Sequence, residues 1–111
     1  MSTPTLFRAL GDPLRYTMVE RLSTESPMTV GRGTEGLDLT RQGARRQLQV
    51  LVDAGLVVLE PKGREVYAHL EPEALSAMHQ MVEELTRRWD RRLDALRRHL
   101  EDDQTGSGKP A

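Results

Sequence analysis

Apolar residues in this chain recur at helical spacing, except in one stretch where they run together and are partly β-branched. In residues 5–10, Leu6, Phe7 and Leu10 fall on one side, which predicts a short first helix ended by Gly11. Asp12-Pro13 opens a second, since aspartate suits the cap and proline the first helical position. Leu14, Met18, Val19 and Leu22 mark its buried stripe, and residues 23–27 read as a turn. Residues 29–38, TVGRGTEGLD, have Val30 and Leu37 as their strong apolar anchors. Gly31, Gly33 and Gly36 each cost about 1 kcal/mol against alanine inside a helix, so a short, weak helix is expected there. Residues 56–60, LVVLE, and 64–70, REVYAHL, read as two strands joined through Pro61-Lys62-Gly63 into a hairpin. Glu71-Pro72-Glu73 opens the longest helix, expected to run to about Asp102. The polar, glycine-rich residues 104–111 read as a disordered tail, leaving 1–103 as the folded domain.

Between the weak helix and the hairpin, residues 39–55, LTRQGARRQLQVLVDAG, carry the most informative pattern. Thr40 can cap a helix start, and Gly55 sits where a left-handed stop is cheap. Ala44, Leu48 and Leu51 form one apolar stripe, while Arg41, Gln42, Arg45, Arg46 and Gln49 fall off it. Guanidinium and amide groups hydrogen-bond bidentately to base edges in a DNA major groove. An isolated helix of this kind can equally be a solvated basic face. The surrounding order decides between them: helix, helix, weak helix, helix, hairpin, long helix is the order of a winged helix-turn-helix domain. The expected fold class is therefore mainly α with a small β-hairpin, the N- and C-terminal helices forming a dimer interface. In such a frame Thr40, Arg41, Gln42, Arg45, Arg46 and Gln49 are candidates for contact with double-stranded DNA, joined by Lys62 and Arg64 at the hairpin tip.

The long helix has an apolar seam in steps of three or four: Leu75, Met78, Val82, Leu85, Trp89, Leu93, Leu96 and Leu100. A domain this small has little surface to bury it all. Its second half is expected to pack against a second copy of the chain, with Leu6, Phe7 and Leu10 beside it. A homodimer of this kind places two reading helices about 34 Å apart, one turn of DNA.

Composition narrows the function further. The 111 residues are 37% hydrophobic and 30% charged, and aromatics are only 4%, so leucine, valine, methionine and alanine must fill the core. There is no cysteine, which removes thiolate metal sites, disulfides and a cysteine nucleophile, and suits a cytoplasmic protein. No apolar run is long enough for a membrane span, and the first residues lack a signal-peptide pattern. The net charge of -1 does not announce a nucleic-acid binder. Residues 41–64, however, hold five cations (Arg41, Arg45, Arg46, Lys62, Arg64) against two anions (Asp53, Glu60), so the positive charge is local. No phosphate loop, HExxH or GxSxG motif is present, and no enzymatic activity is expected. His79 with Glu83, and His99 with Asp103, are i, i+4 pairs that could hold Ni or Zn; scattered histidines are more often surface residues, and no cofactor is expected.

Taken in order, these segments resemble the ArsR family of bacterial winged-helix repressors. LFRALGDPLRYTMVERL resembles the family's opening helix and its Asp-Pro-x-Arg helix. LTRQGARRQLQVLVDAGLV resembles its recognition helix, and GREVYAHLEPEAL its second wing strand and last helix. The likeness spans residues 5–101. TRQGARRQL and RRWDRRLDALRRHL look most like members without the usual metal cysteines. The resemblance implies a homodimeric repressor whose operator affinity is altered by a small-molecule, metal or protein effector. Two departures stand out. Gly33 and Gly36 occupy places that are usually apolar in the positioning helix, and the metal-binding Cys-x-Cys is missing. Two alternatives accompany this reading: a Ni- or Zn-responsive regulator using His and carboxylate ligands on the last helix, and a dimerising anti-repressor that no longer binds DNA.

Overall fold

The computed structural model describes residues 2–108, with side chains described as far as residue 102. Five helices and three strands follow one another: α1 (Thr3–Leu10), α2 (Pro13–Thr24), β1 (Met28–Thr29), α3 (Val30–Gly33), α4 (Arg41–Asp53), β2 (Val57–Lys62), β3 (Glu65–Leu70) and α5 (Pro72–Gly108). The chain divides into one compact unit up to Met78 and a second from His79 onward, which belongs to the remainder of α5.

The helix starts follow from local chemistry. Ser2 caps α1 by accepting from the Thr5 N–H at 3.3 Å. Asp12 caps α2 with two bonds, from the N–H groups of Leu14 (2.9 Å) and Arg15 (3.2 Å), while Pro13 takes the first helical position, where a missing N–H costs nothing. The core of the first unit forms where the helical stripes meet. Leu6 and Ala9 of α1, Met18 and Leu22 of α2, Leu48 and Leu51 of α4, and Leu56 and Val57 entering β2 are all buried. Ala74 and Met78 bring the first two turns of α5 onto the same core.

Three departures from the pattern-based expectation have clear causes. First, the glycine-rich stretch is helical for a single turn only, Val30–Gly33. Gly36 takes φ +77, a left-handed conformation that ends any helix, and the connection to α4 runs through residues 34–40. A weak helix over residues 29–38 with the next cap at Thr40 leaves almost no connection; the structure has one of residues 34–40 there instead. Its shape is held by Arg21, whose Nη1 donates to the carbonyls of Glu35 (2.6 Å) and Gly33 (3.3 Å), and by Leu37 and Leu39, which pack on the core. Second, Met28–Thr29 pairs antiparallel with β3, so the hairpin is part of a three-stranded sheet of order β1-β3-β2. A two-residue strand is too short to leave an alternating pattern in the sequence.

Third, the hairpin turn is Gly63-Arg64, not Pro61-Lys62-Gly63: Lys62 pairs with Glu65 and Pro61 with Val66. Gly63 has φ +62 and Arg64 does not have positive φ, which is what a two-residue type II′ turn requires. Pro61 is accommodated because β2 is an edge strand. At the other end of the chain α5 continues to Gly108, past the stop expected near Asp102. The side chains of 103–108 and residues 109–111 lie outside the described residues, and most of the expected tail falls there.

Candidate nucleic-acid interface

α4 is set at both ends by the residues its sequence advertises. Thr40 Oγ1 accepts from the Gly43 N–H at 2.9 Å. A β-carbon on Gly43 would stand 3.1 Å from that same oxygen, so glycine leaves the capping hydroxyl room. At the other end the chain makes a Schellman stop. Leu56 N–H donates to Leu51 C=O and Gly55 N–H to Val52 C=O, both at 3.0 Å, with Gly55 at φ +85. Leu51 and Leu56, both at 0% exposure, sit at the two ends of the first of those bonds. The inner face is Ala44, Leu48 and Leu51, all buried, and Arg41, Gln42, Arg45, Arg46 and Gln49 are exposed.

A groove of about 900 Å³ runs between α4 and the hairpin. Arg41, Arg45 and Gln49 line it from the helix, Thr40 from the cap and Arg64 from the turn, over a floor that includes Leu39, Leu48 and Leu59. Five of the eight candidate DNA contacts, the Thr40 cap among them, thus border one concave, basic surface. Gln42, Arg46 and Lys62 are exposed but lie outside it. Two of the candidates have prior commitments. Thr40's oxygen accepts in the cap, and Gln49 Nε2 donates to Asp53 Oδ1 at 2.7 Å, so one N–H of its amide is already engaged. Lys62 lies with its ammonium 5.9 Å from the centre of the Tyr67 ring and is paired across the hairpin with Glu65. At the edge of the hairpin, outside the groove, it is a candidate for a phosphate contact rather than for reading a base. Lys62→Ala should lower DNA affinity about equally on all sequences and reduce the salt slope by about 1; a slope identical to wild type removes Lys62 from the interface.

Three residues that pattern reading passed over also shape this surface. Arg21 holds the connection leading into α4, as above. Arg15 and Gln47 make a bond of 2.7 Å between α2 and the flank of α4. Arg15 stands in the Asp-Pro-x-Arg motif, a visible signal, but its partner is 32 positions away and nothing local points to it.

The residues expected at a dimer interface separate into two groups. Leu6 is wholly buried in its own chain's core and has no surface to offer a partner, which corrects its assignment; with Ala9, three positions on, it forms the inward face of α1. Phe7 is 36% exposed and Leu10 half-buried. Along α5, Leu85, Trp89, Leu96 and Leu100 are exposed, Trp89 by 59%, and Leu93 is half-buried. Leu75, expected on the core-facing stripe, is 40% exposed; Ala74 and Met78 take that role. On the polar side of α5, Glu84 binds Arg87 (2.8 Å) and Arg88 (3.1 Å). The Arg87 hydrogen bond, with Arg88 adding to it, holds the Glu84 carboxyl below its ordinary value. His79 Nε2 lies 3.5 Å from Glu83 Oε2, and among the described residues no three potential metal ligands come together. His99 is exposed, and the side chain of Asp103 lies outside the described residues.

Comparison with known proteins places this geometry. Residues 10–60 match the model of a helix-turn-helix domain. The chain is 31% identical over 92 residues to the arsenic resistance transcriptional regulator ArsR1 of Pseudomonas putida, covering 80% of this chain and 72% of that protein. It is 34% identical over 87 residues to the HTH-type transcriptional regulator Rv2034 of Mycobacterium tuberculosis, covering 78% of each. Among solved structures, an ArsR family transcriptional regulator superposes with a TM-score of 0.72 at 26% identity, over 78% of this chain and 94% of that one. An ArsR-like regulator from Rhodococcus sp. RHA1 superposes with a TM-score of 0.71, also at 26% identity, over 86% and 90%.

Proposed function

The chain belongs to the ArsR-type family of winged helix-turn-helix transcriptional regulators, and on that premise we propose that it is a homodimeric repressor that reads a palindromic operator with α4. It is a DNA-binding regulator and not an enzyme. The observation that carries the finer reading is the row of exposed guanidinium groups on α4, Arg41, Arg45 and Arg46, beside a groove that Arg64 closes from the hairpin. The first two turns of such a helix meet base edges when it docks in a major groove. Arg64 at the turn is placed for a phosphate or the adjacent minor groove. Selection of bound sequences from a random DNA library tests this directly. The expected product is a palindrome with half-sites about one DNA turn apart; an unenriched pool overturns it.

The dimer rests on α5. Val82, Leu85, Trp89, Leu96 and Leu100 leave an apolar row about half exposed in a single chain, more than a soluble monomer leaves uncovered without reason. Trp89→Ala combined with Leu96→Ala should weaken self-association by about 2–3 kcal/mol and shift the chain toward monomer in sedimentation at micromolar concentration. A wild-type chain that sediments as a monomer there defeats this part of the proposal. The repressor works in the cytoplasm, where operator DNA lies, and responds to an effector of small-molecule, metal or protein kind. Sensing through cysteine thiolates is closed to these residues, since none is cysteine. No helix among the described residues is long and apolar enough to cross a membrane.

A further inference from the structure

Arg15 joins three elements at one half-buried guanidinium. Its Nε donates to the Ala9 carbonyl at 2.6 Å and its Nη2 to the Arg8 carbonyl at 3.4 Å, both in the last turn of α1. Its Nη1 donates to Gln47 Oε1 at 2.7 Å. The carbonyls at a helix C-terminus lack partners within the helix and favour a cation, so α1 supplies a natural seat for this group. Gln47 lies on the half-buried flank of α4, between the exposed Arg46 and the buried Leu48. Among the described residues this is the one side-chain hydrogen bond that ties α4 to another helix. A guanidinium is a rigid planar fork, so its donors cannot follow α1 and α4 independently.

We infer that Arg15 and Gln47 form a latch that sets the orientation of the recognition helix from α1, making Gln47 and Arg15 positioning residues for operator reading. The inference rests on the dimeric, operator-reading function proposed above. α1 carries Phe7 and Leu10 toward the surface, and Arg15 fastens the end of α1 to α4. Where α1 takes part in the dimer contact, the angle between the two reading helices is keyed to that contact through the latch. Neither residue touches DNA in this scheme. Their effect is on which spacing of half-sites the dimer accepts.

The test uses the full chain and four proteins: wild type, Gln47→Leu, Arg15→Lys and the double variant. Leucine removes the acceptor at similar size, and lysine keeps the charge without the fork. Affinity is measured by anisotropy on three duplexes: the selected operator, the same operator with two base pairs inserted between half-sites, and a random duplex. The insertion turns one half-site by about 70° relative to the other. Each single variant should lose about tenfold on the selected operator, the worth of one charge-assisted hydrogen bond. Each should bind the random duplex as wild type does, and should discriminate less between the two spacings. The double variant should be no worse than either single, because both break one link. Equal losses on all three duplexes mark a fold role only and overturn the inference, as do additive losses or no change. A wild type without preference among the duplexes sinks the proposed function instead. The latch is then read by NMR without DNA: the Arg15 Nε–H should exchange slowly and shift in Gln47→Leu, and a rapidly exchanging Nε–H overturns it.

Discussion

Alanine at Arg41, Arg45 and Arg46 together should abolish specific operator binding and leave the fold intact. The three side chains are exposed, and among the described residues none makes a hydrogen bond or ion pair within the chain. Nothing in the folded state is lost on truncation, and alanine is at least as good a helix former as arginine. What the substitutions remove is the proposed contact with DNA. Each arginine that reads a base or grips a phosphate contributes about 1–3 kcal/mol. Even at the lower end, with the three effects adding, the loss is about 3 kcal/mol, more than a hundredfold in affinity. Neighbouring contacts on one helix turn couple, so the triple variant can fall short of the sum of singles. It should still not bind the selected operator at concentrations that saturate wild type. The measurement is an anisotropy titration at one fixed salt concentration, beside a thermal melt. A normal melt with an unchanged dissociation constant would remove α4 as the reading element.

The second large effect is on stability. Leu51→Ala should cost about 3 kcal/mol, within the range for truncating a buried leucine. Leu51 is fully buried, on the inner face of α4, and its carbonyl accepts the Schellman bond from Leu56, itself fully buried. Alanine leaves a cavity at the point where α4 turns into the sheet, which α2 and α4 cannot both move to fill. A small domain has only about 5–15 kcal/mol of total stability, so the variant should unfold at markedly lower urea. Val50→Ala, one residue earlier and 40% exposed, is the control and should change stability by about 0.5 kcal/mol or less. Protomer concentration must be matched, since dimerisation stabilises by mass action. A Leu51 variant as stable as the Val50 control would mean that the inner face of α4 is not the core.

Much of this architecture is legible in the chain, and the legible parts share a cause. Caps, stops and amphipathic stripes are decided within one helical turn of the residues concerned. Asp12-Pro13, Thr40 and Gly55 each act on backbone groups two to five positions away, and the structure places each where the spacing implies. The inner and outer faces of α4 follow from the 3.6-residue period alone. The positions of α2, α4, the hairpin and α5 were accessible for the same reason, and with them the family.

Other features were settled by contacts between residues far apart in the chain. The stretch around Gly31–Gly36 has no strong local preference, so its one turn of helix and its long connection are set by Arg21 and by Leu37 and Leu39 meeting the core. β1 exists because β3 offers Met28 and Thr29 an edge, 40 positions downstream at Ala68. Leu6 looked like a surface for a partner because its sequence neighbours are apolar too; only the packing of α1 onto the core shows that Leu6 points in and Phe7 out. The groove that joins Arg41, Arg45 and Gln49 to Arg64 needs the hairpin folded back beside α4, and the Arg15–Gln47 bond needs α2 laid against it. Near neighbours along the chain are enough to fix the elements, their caps and the basic outer face of α4. Which of the basic residues share one surface, and what holds that surface in place, depends on partners that come together only when the core closes.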